Sequence, residues 1–357
     1  MPPRVTVIIP AYNAEATIGE TLASAAGQTW RDLEIIVVDD GSQDTTPDII
    51  ETHARRDSRI RLIRQANAGV AVARNTALAA ATGRYAAWLD ADDLWARQKI
   101  EKQLFVFASA AAPLSFVYTG YRLIDKNGYI RRNPRTLADL SGDTLCRQIA
   151  TTYFTNISSL MVPVGLARHC GGHDPRLRAW GIEGAEDPRL QLRLAALGPN
   201  GCCRQALVGY RMHSANMSRA VARVARSNLK VLELAAGQEP TVPDWVFALG
   251  RARTVGFGLQ MLAAGSVVGG LRFIEFRLAQ DPVKTMRMPA MAAHWVGRAM
   301  LGRRPRDPEI GRRFDGADPA TVPWEGHMLL PARDRQRLER ADAERVVRRG
   351  VDKELRT

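Results

Sequence analysis

The stretch "VTVIIPAYNAEATIGETLASAAGQTWRDLEIIVVDDGS", Val5 to Ser42, carries two apolar runs on either side of a helical segment. Val5–Ile9 and Glu34–Val38 are rich in β-branched residues without strict polar alternation, the pattern of strands covered on both faces. Between them Glu15–Ala26 reads as a helix. The alternation continues downstream. A second helix is expected to begin near Thr46 and Pro47, where threonine can cap and proline suits the first turn. "RIRLI" (Arg59–Ile63) is a third strand, followed by an alanine-rich helix from Gly69 to Ala81 that Gly83 stops. Tyr85–Leu89 is then a fourth strand. Such repetition implies an α/β fold, a parallel sheet with helices on both faces. Ligands in open sheets of this kind bind beyond the carboxyl ends of the strands.

From Lys99 to Ala222 the pattern becomes mixed. "LSFVYTGYRLI" (Leu114–Ile124), "TNISSLMVP" (Thr155–Pro163) and "ALVGYRM" (Ala206–Met212) are strand candidates, and "GYIRR" (Gly128–Arg132) is expected to pair with the first. After Ser227 the chain reads as helices broken at Gly237, Gly265 and Pro282, with a helical hairpin over Pro243–Asp281. Beyond Leu301 it is rich in Arg, Asp and Pro, a loosely attached tail ending in a charged helix. The expected division is one α/β domain over 1–225, a helical region over 226–300 and a tail over 301–357.

The 357 residues, 46% hydrophobic and 24% charged, are enough for a large globular core. A net charge of +13 favours an anionic partner (nucleic acid, acidic lipid or phosphorylated substrate), unless the arginine excess only solubilises the surface. The four cysteines form no CxxC pair, which excludes a zinc framework of that type. With no signal-peptide organisation at the amino terminus, a reducing cytoplasmic location is expected. Thr254–Leu271 approaches membrane-spanning length but is diluted by five glycines, Gln260 and Ser266, so a soluble hairpin is the expectation.

Five polar clusters lie where ligands are expected. In "PAYN" (Pro10–Asn13) the proline should end the first strand's ladder and leave the next backbone free for a ligand. In "VDDGS" Asp39 and Asp40 should point oppositely, one to a nucleobase or ribose and one bracing the loop, or else form a plain Asp-Gly turn. "LDADDLW" puts Asp90 and Asp92 on one side if the chain stays extended, with Asp93 opposite. Two such carboxylates call for a hard divalent ion, Mg²⁺ or Mn²⁺, unless they merely cap a helix near Ala96. Asp187 in "GAEDPRLQLRLAALG" is either a helix N-cap with a lowered pKa or a catalytic carboxylate facing the site. His213 in "GYRMHSANMS" is a metal ligand or an ordinary polar residue. P-loop, dinucleotide and GxSxG signatures are absent.

Together "VIIPAYNAEATIGETLAS", "IIVVDDGSQDTT", "NAGVAVARN", "WLDADDLW", "AEDPRLQLRLA" and "YRMHSANMS" resemble family 2 glycosyltransferases, over about Val5 to Ser218. The resemblance implies a GT-A, Rossmann-like mixed sheet flanked by helices, with a helical carboxyl-terminal extension. It also implies a nucleotide-diphospho-sugar donor, a divalent metal and inversion at the anomeric carbon. By position, Asp92 and Asp90 would bind metal, with Asp90 near the ribose and His213 near metal and phosphate. Pro10, Ala11, Tyr12 and Asp40 would line the nucleotide, Arg74 would brace the acidic cluster or the diphosphate, and Asp187 would be the general base. Pro188 and Arg189 depart from the aromatic and acidic residues that often follow the base. A UDP-sugar is the first expectation for the donor, and a saccharide or lipid-linked acceptor fits cell-surface polysaccharide or glycolipid synthesis. A nucleic-acid partner is not expected. Pro289–Arg306 reads as an interfacial helix for anionic membrane, placing the protein on the inner face of the plasma membrane, or as a helix packed on the hairpin before it. The rival classes are a sugar-nucleotide nucleotidyltransferase, which brings a glycine-rich basic loop that "PAYNAEATIG" is not, and a non-catalytic nucleotide-sugar-binding protein.

Overall fold

β1 (Val5–Ala11) lies between β2 (Leu33–Asp39) and β4 (Tyr85–Trp88), and β3 (Ile60–Arg64) flanks β2, all four parallel. In the computed structural model, residues 3–132, 140–152, 155–182, 184–212, 221–251, 254, 310–314 and 332–354 are described. His213, most of the Pro243–Asp281 hairpin and the Pro289–Arg306 helix fall outside them.

Every residue of β1 is buried, which accounts for its lack of polar alternation. Ile8, Ile36, Val38 and Trp88 enter one apolar layer, while Val7, Ile9, Ile35 and Val37 enter the other, as a two-residue period demands. Four helices cover this half: α1 (Ile18–Ala26), α2 (Thr46–Arg56), α3 (Val70–Ala80) and α4 (Lys99–Ser109). The remaining strands are β5 (Leu94–Trp95), β6 (Phe116–Ile124), β7 (Ile130–Arg132), β8 (Met161–Pro163) and β9 (Asn200–Arg211). The sheet order is β3-β2-β1-β4-β8-β6-β9-β5, with β7 beside β6. β8 and β5 run antiparallel to their neighbours, so the sheet is mixed.

Three local expectations are corrected. β1 continues through Pro10 and Ala11, which pair with Val38 and Asp39. Successive residues face opposite neighbours: Ile8 O accepts from Leu89 N, and Ala11 O accepts from Asp40 N. Pro10 therefore faces past the end of β4, where the ladder needs no N–H. Thr46 is not the cap of α2 but lies inside its first turn, and its hydroxyl accepts from Ala14 N at 2.7 Å. Within Thr155–Pro163 only the last three residues are strand. The Asn156 side chain accepts from Ser159 N at 3.0 Å and winds Ile157–Ser159 into a 3₁₀ turn.

Four further helices are α5 (Leu145–Thr151), α6 (Val164–His169), α7 (Arg176–Ala179) and α8 (Glu186–Leu197). Two described parts of the expected tail are docked rather than loose. Residues 310–314 lie along β7, with Ile130 N donating to Arg312 O at 2.7 Å and Phe314 packed beside Leu94, Ile124 and Leu207. The helix Ala332–Glu354 sits on α5. Its Asp342 accepts from Cys146 N at 2.7 Å and Arg147 Nε at 3.0 Å, and Arg345 Nη2 donates to Ala196 O in α8 at 2.8 Å. The buried stripe is Leu338, Ala341, Asp342 and Arg345, too sparse and too charged to register as an amphipathic face. Among the described residues no helix is long and apolar enough to cross a membrane.

Candidate active site

The three carboxylates after β4 do not continue an extended chain. The strand stops at Trp88, and Asp93 N donates to Asp90 O at 3.1 Å across a turn. This turn separates the side chains. Asp93 swings inside, fully buried, and accepts from Ser158 Oγ at 2.6 Å and Arg211 N at 2.9 Å. Burial, with Asp92 and Asp90 nearby, holds its carboxyl well above the usual range. Asp90 accepts from Arg74 Nη2 at 2.7 Å, and Asp92 stays half-buried on the turn. Because α4 begins only at Lys99, none of the three caps it.

Arg74 lies in α3 with 5% of its side chain exposed, and its Nη1 donates to Asp187 Oδ1 at 2.8 Å. One guanidinium thus joins Asp90, from the end of β4, to Asp187, from the start of α8. Asp187 is not the cap of α8. Ala185 occupies that position, Glu186 opens the helix and accepts from Gly184 N at 2.8 Å, and Asp187 follows it. The expected lowering by capping is therefore reversed. Desolvation pushes Asp187 up to about 7, against the opposing pull of Arg74. A carboxyl poised there is matched to general-base work at neutral pH.

A histidine not singled out in the sequence completes this layer. His173 lies between α6 and α7, after Gly171 and Gly172 at φ +74° and +63°. A side chain at Gly172 would run into Asn75 Oδ1, so glycine is required there. Asn75 holds the histidine backbone from both sides: His173 N donates to Oδ1 at 2.8 Å, and Nδ2 donates to His173 O at 2.7 Å. The imidazole is fully buried, edge-on to Trp88 at 5.6 Å, with Nε2 3.9 Å from Asp187 Oδ1. Burial, then Arg74 and Arg193, hold its pKa well below the usual value, and the ring is neutral.

The loops after β1 and β2 follow the same carboxyl edge of the sheet as the turn after β4. Pro10 and Ala11 are buried, while Tyr12 is 51% exposed. Asn13 N donates to Ser42 Oγ at 3.0 Å and Gln43 N to Asn13 Oδ1 at 2.8 Å, stitching the loops together. Asp40 accepts from Gln65 Nε2 at 2.7 Å, Ala68 N at 2.9 Å and Gly69 N at 2.8 Å. Asp39 Oδ1 accepts from Ser42 N at 3.2 Å. Both carboxylates brace backbone here. Sequence reasoning also missed Ser158 and Arg211. Arg211, buried at the end of β9, donates from Nε to Asp92 O and from Nη2 to Glu20 at 2.9 Å. The available signal was an arginine ending an apolar strand beside the histidine motif.

Residues 6–157 match glycosyl transferase family 2. Over 127 residues the chain is 40% identical to the UDP-Glc:alpha-D-GlcNAc-diphosphoundecaprenol beta-1,3-glucosyltransferase WfgD of Escherichia coli, covering 35% of this chain and 49% of that one. Over 205 residues it is 31% identical to the chondroitin synthase of Escherichia coli, covering 55% of this chain and 27% of that one. The chain spans about half or less of the length of these curated relatives. Among solved structures, S. aureus TarS 1–349 in complex with UDP-GlcNAc superposes with a TM-score of 0.59 at 18% identity, over 88% of this chain and 98% of that one. That likeness is one of fold, the GT-A arrangement of a mixed sheet flanked by helices. Residues 6–157 thus carry the sequence likeness to glycosyl transferase family 2, and the fold around them is similar to that of solved glycosyltransferases.

Proposed function

We propose that this protein is an inverting glycosyltransferase that moves a sugar from a nucleotide-diphospho-sugar to an acceptor hydroxyl. The observation that carries the reading is the buried Arg74, which holds Asp90 and Asp187 on one guanidinium. It sets the donor side and the base side of the reaction a fixed distance apart. Asp187 takes the acceptor proton as the acceptor oxygen attacks the anomeric carbon. The bond from that carbon to the diphosphate breaks on the opposite face, and its electron pair leaves with the nucleoside diphosphate. A positioned base contributes about 10²–10⁴-fold.

Pro10, Ala11 and the exposed Tyr12 line the nucleotide, and Asp40 acts by holding the 65–69 turn beside it. Among the described residues no three His, Cys, Asp or Glu side chains converge to hold a metal ion. Asp90 and Asp92 do offer two hard oxygen donors, and Asp92 stands close enough to raise the Asp90 pKa. A divalent ion fits that pair and relieves its repulsion, with His213, outside the described residues, as a third ligand. Bound there, Mn²⁺ or Mg²⁺ would stabilise charge on the leaving diphosphate.

The relatives support the substrate class. TarS was solved with UDP and with UDP-GlcNAc, and a Pyrobaculum calidifontis mannosyltransferase (TM-score 0.50, 21% identity) with GDP-Man and Mn²⁺. A UDP-sugar is the first donor we propose, and a lipid-diphosphate saccharide the acceptor, as in the name of the glucosyltransferase relative. Action on such an acceptor suits a cytoplasmic enzyme peripheral to the membrane.

Incubation with Mn²⁺, a panel of UDP- and GDP-sugars and a GlcNAc-diphospho-lipid tests this reading. Free nucleoside diphosphate with an inverted glycoside supports it. Pyrophosphate indicates a nucleotidyltransferase, and no turnover a binding protein. Asp92→Ala should weaken Mn²⁺ and diphosphate binding together. Unchanged Mn²⁺ dependence would remove the metal assignment.

A further inference from the structure

We propose that His173 is a positioning residue for Asp187: its neutral ring donates from Nε2 to Oδ1 and thereby turns the other carboxylate oxygen toward the acceptor hydroxyl. The proposal rests on the reading of Asp187 as the base.

Three observations converge on it. Neither ring nitrogen has a hydrogen-bond partner among the described residues, although the side chain is fully buried. Buried polar atoms are rarely left unpaired, and a catalytic role is one of the reasons for which they are. The ring is also aimed: Nε2 stands 3.9 Å from Asp187 Oδ1, and bonds that serve catalysis are often long before substrate binds and shorten afterwards. Finally, the loop is built to hold the ring there. Asn75, the residue after Arg74, grips the His173 backbone at both its N–H and its carbonyl, and two left-handed glycines precede it.

The charges around the ring favour this role over that of a proton carrier. Arg74 acts on it from α3, where Asn75 holds its backbone, Trp88 meets it from β4, and Asp187 and Arg193 face it from α8, while Asp90 and Glu186 act on Asp187. Asp174, its chain neighbour, is engaged by Arg176 at 2.8 Å and by Arg193 at 3.8 Å. Two guanidiniums beside a desolvated ring oppose a third positive charge. The imidazole thus offers one N–H and one lone pair. Arg74 Nη1 already donates to Oδ1 at 2.8 Å, and the backbone N–H of Ile157 also favours the ionised form of this carboxylate. A second side-chain donor on Oδ1 concentrates basicity on Oδ2. It also favours the ionised carboxylate, so its removal should make Asp187 harder to deprotonate.

Two variants test the role. His173→Phe fills the ring's space without an N–H, and His173→Gln keeps an amide N–H near the place of Nε2. Titration with a UDP-sugar and Mn²⁺ should show donor affinity unchanged in both. In His173→Phe, kcat should fall by about 10-fold and the acid limb of its pH profile should move up by about one unit. His173→Gln should recover most of both. A wild-type limb in His173→Phe, or an equal displacement in both variants, would overturn the proposal. Nitrogen-15 imidazole spectra of the full wild-type chain need neither variant to fold nor any turnover. They should show His173 as the neutral Nε2–H tautomer, with a shift that steps as Asp187 titrates, and the step should vanish in Asp187→Asn. An Nδ1–H tautomer, or a ring indifferent to Asp187, sinks the idea whether or not sugar is transferred. A ring that senses Asp187 in a protein without transfer would instead remove the proposed function alone.

Discussion

At the carboxyl end of β2, Asp40 gives both oxygens to its own chain, accepting from Gln65, Ala68 and Gly69. At the start of α8, Asp187 shares one oxygen with Arg74 and stands beside an imidazole whose nitrogens have no partner among the described residues. Two aspartates that look alike in the sequence therefore do different physical work. Asp40 is a structural acceptor whose N–H bonds set the shape of a loop. Asp187 is desolvated enough to be raised to about 7, so its proton can come and go near neutral pH. The first corner is preorganised by satisfied hydrogen bonds, and the second keeps its chemistry by leaving some of them unmade.

The largest expected effect comes from removing the residue that holds the second corner together. Arg74→Ala leaves Asp90 and Asp187 without their shared cation, and urea unfolding should show a loss of about 3–5 kcal/mol. Unchanged stability would mean that the two carboxylates are solvated and the contrast with Asp40 is false.

Asp187→Asn should keep fold and donor affinity while lowering transfer by about 10²-fold or more. The pH profile follows from the same group. Its folded pKa is raised, so the carboxyl is protonated below about 7 and ionised above it. Wild-type kcat should therefore rise with pH through that region. The residual rate of the Asn variant should lack that limb, and a limb that survives would assign the titration to another group.

Asp40→Asn should show the inverse pattern. An amide must turn its NH₂ toward at least one of the three N–H donors, at a cost in stability of about 1–3 kcal/mol. Transfer from bound donor should stay within a few-fold of wild type. A stable variant that had lost turnover would exchange the two roles.

The smallest effect is expected at Glu186, whose Oε2 accepts from Gly184 N at 2.8 Å. Glu186→Gln should keep transfer within about a few-fold, because a Gln side-chain oxygen can still accept from Gly184 N. A loss equal to that of Asp187→Asn would make Glu186 the base.

The amino-terminal fold was legible because its signals are local. Val5–Ile9, Glu34–Val38, Arg59–Ile63 and Tyr85–Leu89 announce themselves as apolar runs, and each lies within one or two residues of its observed strand. The same holds for the pairing of Gly128–Arg132 with β6. Arg74, expected from the resemblance to brace the acidic cluster or the diphosphate, donates to Asp90.

What only the tertiary structure decided is the electrical state of the site. Whether Asp187 is a lowered cap or a raised base depends on Ala185 taking the cap and on burial against elements distant in the chain. Asp93 turns inward because Ser158 and the Arg211 backbone wait there, and no spacing within "LDADDLW" encodes them. His173 gains meaning only once α3 and α8 close around it, and Pro10 stays in the ladder only because β4 ends two residues earlier. Backbone propensity and hydrophobic period are written along the chain, within a few residues of where they act. Desolvation and ion pairing are set by whatever else packs nearby, and in this protein Arg74 reaches Asp187 across 113 residues and Arg211 reaches Glu20 across 191.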